Sequence, residues 1–405
     1  MIAILKREWK SYFQNITGWL FIAAVLALYG LYFLAYNLRA GYPYVSYTLS
    51  AISFIMLIAV PILTMRSMAE ERHSRTDQLV LTAPVSLGKM IFGKFLAMVG
   101  VFTVAVAVIA VTPLVLAAFG TVPLGENYVA VLGFWLYGCT CIAVGMLASA
   151  LTESQVIAAV VAFAFLFLGY MMNSITGLIG DHLVTKVLGA YDLYTPLQSF
   201  MSGCLDLTGV VYFVSVTGLC LFLTCQCVQK RRWSMTTKKL TTGMFSVAMI
   251  VVGFAVAVAV NLVVKEMPSS WTAVDATSTK LYSLTDTTKD YVKNLSQDVT
   301  IYVLSSEKSA DSTLAETLQR YEDLSKHLKV VYKDPAKSPN FYQQYTDSAP
   351  SQNSMIVVSD ARSRVVDYSD VYEYSYDYST YSSSVDGYDA EGQLTSALQY
   401  VTKAD

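Results

Sequence analysis

The feature that most restricts this chain is its succession of long apolar runs. A helix that crosses a bilayer needs about 20 consecutive apolar residues at 1.5 Å of rise each. Runs of about this length recur at 18–38, 47–65, 95–119, 128–151, 156–172 (or, as a longer reading, on to 179), 210–228 and 243–264. Inside hydrocarbon each segment must satisfy its own backbone N–H and C=O groups, and an α-helix does so within the segment. The sequence therefore predicts an α-helical polytopic membrane protein of six spans plus a seventh. Pro61 and Pro113 fall inside the second and third runs, where membrane helices tolerate a kink.

Charge sets the orientation. Only 14% of the 405 residues are charged, against about 25% in a soluble domain. The net charge of −2 is divided unevenly: residues 1–264 hold 15 Lys/Arg and 9 Asp/Glu, whereas residues 265–405 hold 13 and 21. Such a split predicts two domains or two compartments. The acidic half argues against nucleic acid, which requires a basic face. Arg66, Arg72, Arg75, Lys89 and Lys94 lie between the second and third runs, and Lys230, Arg231, Arg232, Lys238 and Lys239 between the sixth and seventh. Arg39 alone separates the first and second runs, and no basic residue separates the third and fourth. The positive-inside rule then predicts a multi-pass plasma (inner) membrane protein with a cytoplasmic N-terminus and residues 265–405 outside. Trp19, Tyr44, Tyr128 and Trp271 fall near the expected boundaries, as interfacial aromatics do.

Residues 1–16 do not read as a signal peptide, because Lys6, Arg7 and Lys10 interrupt any apolar core. Ile2, Leu5, Trp9, Tyr12, Phe13 and Ile16 share one arc at helical period, so the segment is expected as an interfacial amphipathic helix with Lys6 and Lys10 flanking Trp9. Residues 173–207 are too polar to cross and too apolar for a free loop; they are expected as short re-entrant or interfacial helices on the outer face. Residues 230–242 read as a basic cytoplasmic linker. The outer region reads as α/β, with strands at 299–304, 330–332 and 355–358 and helices at 313–328 and 394–401, on a partly parallel sheet. Tyr368, Tyr372, Tyr374, Tyr376, Tyr378 and Tyr381 crowd a Ser/Asp-rich stretch. It reads as an extended, irregular or edge-strand segment, with a carbohydrate- or partner-binding surface as the other reading.

The chemistry the sequence lacks is informative. It has no phosphate-loop motif, no HExxH and no GxSxG, and its three histidines, His73, His182 and His327, are far apart in the expected topology. Cys225 and Cys227 read as buried small hydrophobes, since no His or second Cys pair accompanies them. No metal, cofactor or catalytic residue is expected on this chain. The expected spans also lack the buried carboxylates of proton-coupled transporters; between the second and fifth runs Glu153 stands out, at the turn 152–155. A function powered by another subunit fits that pattern.

The most polar stretch among the apolar runs is 70–86, in which Glu70, Glu71, Arg72, Thr76 and Leu79 precede Leu81-Thr82-Ala83-Pro84-Val85-Ser86. It resembles the cytoplasmic segment of type-2 ABC export permeases; His73, Arg75 and Asp77 depart from the commoner residues there. Leu151-Thr152-Glu153-Ser154-Gln155 resembles that family's turn between spans four and five, and 200–207 its lead into span six. The last two segments look most like the Gld-type (gliding-motility-like) branch. Residues 275–284, 332–335 and 391–398 resemble pieces of that branch's auxiliary extracytoplasmic subunit. The resemblance implies a six-span permease fused to an auxiliary subunit of one span plus domain. In that family the domain continues beyond its counterpart of 394–401, so 265–405 is expected to be a short or incomplete version.

From the resemblance follow a cytoplasmic ABC ATPase partner carrying ATP and Mg, a permease homodimer, and 67–86 as the coupling helix that meets the ATPase. Glu70 and Glu71 would then open a helix, where acids suit the dipole, and Pro84 would close it. Reversing the charge of Glu71 is expected to reduce ATP-driven activity with assembly intact. A lipid-like or glycan-like envelope component is the favoured cargo. The competing reading is a membrane scaffold that displays 265–405 to an envelope partner without transporting cargo.

Overall fold

The computed structural model describes residues 2–75, 86–179, 189–232, 239–265, 267, 273–275, 284–306, 309–377 and 382–403. These fall into two compact units, one of 1–267 with 272–276 and one of 268–271 with 277–405.

The first unit is helical. An amphipathic helix α1 (Ile2–Gln14) is followed by α2 (Ile16–Phe33), which continues as a π-helical stretch, Leu34–Arg39. Next come α3 (Ser46–Thr64), α4 (Arg66–His73), α5 (Leu87–Ile109), α6 (Thr112–Ala117), α7 (Leu124–Leu151) and α8 (Gln155–Ile179). A short helix α9 (Tyr194–Met201) and strand β1 (Cys204–Asp206) lead into α10 (Leu207–Arg232) and α11 (Lys239–Lys265). Among the described residues, six helices are long and apolar enough to cross a membrane: Ile16–Arg39, Ser46–His73, Leu87–Ala117, Leu124–Leu151, Gln155–Thr176 and Leu207–Gln229. The described apolar part of α11, Ala248–Val264, is shorter.

α7 is the centre of this unit. Of its most apolar stretch 83% is buried, against 22% for α10. It runs parallel to α3, and three polar contacts lace the pair in register. The Val45 amide donates to Asn127 Oδ1 at 2.6 Å, Tyr137 Oη donates to the Ser53 carbonyl at 3.2 Å, and Ser149 Oγ donates to the Met65 carbonyl at 3.0 Å. The sequence offsets are 82, 84 and 84, a near-constant shift that only parallel helices can give. Between the laces, Leu49, Ile52, Met56 and Val60 of α3 and Phe134, Cys141, Ile142 and Met146 of α7 are buried.

Several elements differ from the sequence expectation. The third long helix starts at Leu87, not at 95, so Lys89 and Lys94 belong to a helix and not to a loop. The helix breaks near Thr112, whose hydroxyl donates to the Ile109 carbonyl, and Pro113 enters the first turn of α6 where a missing N–H costs nothing. α8 runs on to Ile179, the longer of the two extents the sequence allows for the fifth run, so 173–179 continue that helix. α9 does supply a short helix within 173–207; Asp192 accepts from the Tyr194 and Thr195 amides at its start. Residues 180–188 lie outside the described residues. In the expected linker 230–242, residues 230–232 and 239–242 are helical, and 233–238 lie outside the described residues.

β1 pairs antiparallel with β2 (Ala273–Asp275), with Leu205 opposite Val274. α10 and α11 between them also pack together. Asn261 Nδ2 donates to Ser215 Oγ at 2.7 Å, and Gly253 approaches the Phe222 ring. The chain thus leaves on α10 and returns on α11 to the strand it started from.

The second unit holds α12 (Asp286–Lys293), β3 (Val299–Val303), α13 (Ser312–Leu324), β4 (Leu328–Tyr332), β5 (Met355–Ser359), β6 (Ser363–Val366), β7 (Tyr372–Asp377), β8 (Ser382–Tyr388) and α14 (Ala390–Thr402). The main sheet has the order β4-β3-β5-β6; β3–β4 is parallel and the other pairings are antiparallel. Leu314, Leu318 and Tyr321 of α13 and Leu394, Leu398 and Val401 of α14 are buried with Val299, Ile301 and Val357 in one core. α13 ends at Leu324 and not at Leu328, because Leu328 starts the strand that pairs with Val299. Of the tyrosine-rich stretch, Tyr372, Tyr374 and Tyr376 form one strand of the β7–β8 hairpin.

Candidate functional site

Among the described residues, the densest charge in the helical unit gathers where α1, α4, α5 and the α7–α8 turn meet. α4 continues α3 after a one-residue break at Met65. It ends where Arg75 takes a left-handed backbone, φ 57°, the usual way a helix is stopped after its C-cap. The Ser74 amide and hydroxyl both donate to the Glu70 carbonyl, at 3.0 and 2.8 Å, and occupy one of the last carbonyls.

Glu70 and Glu71 therefore sit in the later part of a helix, not at its opening as expected from the sequence. The first turn of α4 holds no acid, and Arg72 and His73 occupy its last turn. A helix C-terminus repels carboxylates, so Glu71 needs cations, and the fold supplies them. Its Oε1 lies 2.6 Å from Lys94 Nζ of α5 and 3.6 Å from Arg7 of α1. Lys94 also lies 3.7 Å from Glu8 Oε1 and donates to the Ser67 carbonyl at 2.9 Å. Arg7 pairs with Glu8 at 2.6 Å. Two cations and two carboxylates thus balance around a lysine whose side chain is only 3% exposed. An ammonium that deep is tolerated only with such pairing.

Arg72 turns the other way and reaches Glu153 Oε1 at 2.6 Å. Glu153 is 61% exposed, so this tie is the weaker one. Glu70, Arg66 and His73 are exposed on the remaining face of α4. The paired acids consequently differ: Glu71 is a strut within the protein, and Glu70 is offered outward.

α1 lies against α5 and α2. The Trp9 ring covers Gly100 of α5, where a Cβ would come within 1.8 Å of it. The Trp9 ring is tilted against Phe13, whose ring meets Trp19 edge-on at 5.4 Å, and Trp19 Nε1 donates to the Phe13 carbonyl. Lys6 and Lys10 border a shallow apolar groove with Leu5, Trp9, Phe13 and Gln14. Burial raises the Tyr12 phenol above its ordinary value, and the carboxylates of Glu8, Glu70 and Glu71 raise it further.

Of the residues selected from sequence, the structure brings Glu71 against α1 and α5, and Arg72 against Glu153. Thr76, Leu79 and Pro84 lie outside the described residues. Lys94, Arg7, Glu8 and Ser149 were not selected. Lys94 had a signal that sequence reasoning passed over: a lone cation inside a helical apolar run implies a buried partner. Ser149 had none, being a small residue among small residues.

Among the described residues no cluster of His, Cys, Asp and Glu could hold a metal ion. The arrangement is one of struts and joints at the end of a bundle. No curated protein matches the sequence. Residues 278–370 match a family model described as a domain of unknown function (DUF7088). Residues 39–228 match the model of the ABC-2 family transporter proteins. That match covers the helices from α3 to α10, and it supports an ABC-2 type permease, the transmembrane part of an ABC transporter.

Proposed function

We propose that this chain is the permease subunit of an ABC exporter, driven by a separate ATP-binding subunit and carrying a fused accessory domain. The observation that carries the reading is the construction of α4 within the region that matches the transporter family. Its inner face is tied to three neighbours, and its outer face presents Glu70, Arg66 and His73. A segment braced on one side and charged on the other suits a contact with a moving soluble partner.

In this reading the α1–α4 end faces the cytoplasm, 67–86 is the coupling segment, and Thr76, Leu79 and Pro84 belong to the contact. α1 lies in the interface, with Lys6 and Lys10 toward headgroups. α11 is a seventh span. The return of the chain from α10 through α11 to pair β2 with β1 supports that topology, as does the Asn261–Ser215 hydrogen bond between the helices. Residues 265–405 then lie outside as a Gld-type accessory domain, and two permease copies enclose the path. A lipid-like or glycan-like cargo fits spans with so little buried charge.

The first test is recovery of an ATP-binding subunit with the full chain from native membranes. Charge reversal at Glu71 would set a second cation against Lys94, so the informative position is the exposed Glu70. Glu70→Lys should lower ATPase activity of the reconstituted complex about ten-fold, the equivalent of one interfacial charge contact, with the thermal stability of the chain alone unchanged. Full activity in that variant would remove α4 from the contact.

A further inference from the structure

The joint between α3 and α4 is completed by a side chain from another helix. In a continuous α-helix the Ala69 amide would bond to the Met65 carbonyl, and the Met68 amide to the Thr64 carbonyl. Here the Ser149 hydroxyl of α7 donates to the Met65 carbonyl at 3.0 Å and accepts from the Met68 and Ala69 amides, each at 3.1 Å. A serine hydroxyl has one proton and two lone pairs, and all three are used on this joint. Ser149 is fully buried. A side chain inserted into a helix ladder is a recognised cause of local distortion, and the regular helix assignment lapses at Met65 although its backbone stays α-helical, φ −54° and ψ −32°.

The surroundings serve the same joint. Gly145, one turn before Ser149, lets α7 approach, since a Cβ there would come within 2.3 Å of Thr64 Oγ1. Thr64 Oγ1 returns to the Val60 carbonyl at 3.0 Å, and Lys94 holds the Ser67 carbonyl. Glu153, four residues beyond Ser149, takes Arg72. α4 is therefore fastened to the end of α7 at two points, while its connection to α3 passes through a break.

We infer that Ser149 is a positioning residue that hands movement of α4 to α7 instead of to α3. This deepens the reading of α4 as the element that receives force, and rests on it. A pivot just after Met65 leaves the Met65 amide on the Pro61 carbonyl at 2.9 Å, and whatever displaces α4 pulls the end of α7, the most buried of the six long helices. α7 then passes the displacement on through Thr140, whose hydroxyl lies 3.2 Å from the Phe213 carbonyl and 3.1 Å from Thr217 Oγ1 of α10. α10 is the helix that starts at β1 and so meets the β2 end of α11.

The experiment is hydrogen exchange of the full chain in lipid nanodiscs, alone and with its co-purified ATPase subunit held by ATP and vanadate. Ser149→Ala removes the hydroxyl, Ser149→Cys keeps nearly the volume but hydrogen-bonds poorly, and Ser149→Thr keeps the hydroxyl. In the chain alone, the Ala and Cys variants should exchange the amides of 66–73 about ten-fold faster, the effect of one lost hydrogen bond, and Thr should stay near wild type. With the ATPase bound, wild type and Thr should show altered exchange at the end of α7, and Ala and Cys should bind the ATPase without that change. Wild-type protection of 66–73 in the Ala variant would overturn the joint, and an undiminished α7 response would overturn the transmission. Failure of the wild-type chain to bind any ATPase would instead refute the exporter reading, and the exchange of the chain alone would still decide the joint. A Thr variant that exchanges like Ala, with Cys like wild type, would show that volume and not hydrogen bonding matters, and would also overturn it.

Discussion

At one end of the α3–α7 pair, Asn127 holds the loop at 43–45 with neutral hydrogen bonds; at the other, Ser149 and a set of ion pairs hold α4. Asn127 Oδ1 accepts from the Val45 amide, and its Nδ2 donates to the Pro43 carbonyl at 3.0 Å. Asn37 adds donations to the Tyr42 and Tyr44 carbonyls and accepts from Thr48 Oγ1 at 2.8 Å. Two amides therefore saturate a short loop with directional bonds that have one good geometry. The α4 end is built on Lys94, Arg7, Glu8 and Glu71, charges whose attraction is less directional and survives small displacements. One end is thus a fixed closure, and the other is a joint that can move without losing its ionic partners.

The comparison makes its largest prediction at Lys94. Lys94→Met removes the buried cation that lies against both Glu71 and Glu8, and should destabilise the chain by about 3 kcal/mol, read as a fall in apparent melting temperature in nanodiscs. Replacing Glu71 as well, in Lys94→Met with Glu71→Leu, should recover more than half of that loss. If the single variant melts like wild type, the charged end is not held by this cluster.

Asn127→Ala should cost about 2 kcal/mol, because it leaves the Val45 amide buried without an acceptor. The loss should be the same at low and high salt, which is the property that separates this end from the other. A marked salt dependence of this variant would erase the distinction.

Gly100→Ala should cost about 1 to 2 kcal/mol by overpacking against Trp9. It should also free α1, seen as faster proteolysis of residues 2–14, while the Asn127 end stays protected. Smallest of all, Glu153→Gln should change stability by less than about 1 kcal/mol, since the Arg72 pair is exposed. What remains of its effect should vanish as salt rises, and a large, salt-insensitive loss would mean that this tie is a principal support of α4.

Hydropathy read six long helices because lipid leaves a backbone few options, while of the seventh expected run the described apolar helix is shorter; the helical period of α1 and the strand expected at 299–304, observed at 299–303, were legible from period alone. The start of the third span was not. Lys89 and Lys94 look like loop charges to any window average, yet Lys94 is buried once Glu71 stands 2.6 Å away. The position of the paired acids was misread for the same reason: acids look like a helix opening until the cations that hold them are known. The β1–β2 pairing had too few residues to leave a pattern, and Leu328 kept the helical period of α13 although strand pairing claims it.

Where the backbone needs to be helical follows from local composition, since apolar length and backbone hydrogen bonding act within each segment. Which polar groups inside those helices are partners follows from packing alone. Lys94 with Glu71, Ser149 with the Met65 joint and Asn127 with Val45 are separated along the chain and meet only when helices pack. Their pairing energy exists only at contact distance, so no local pattern records it.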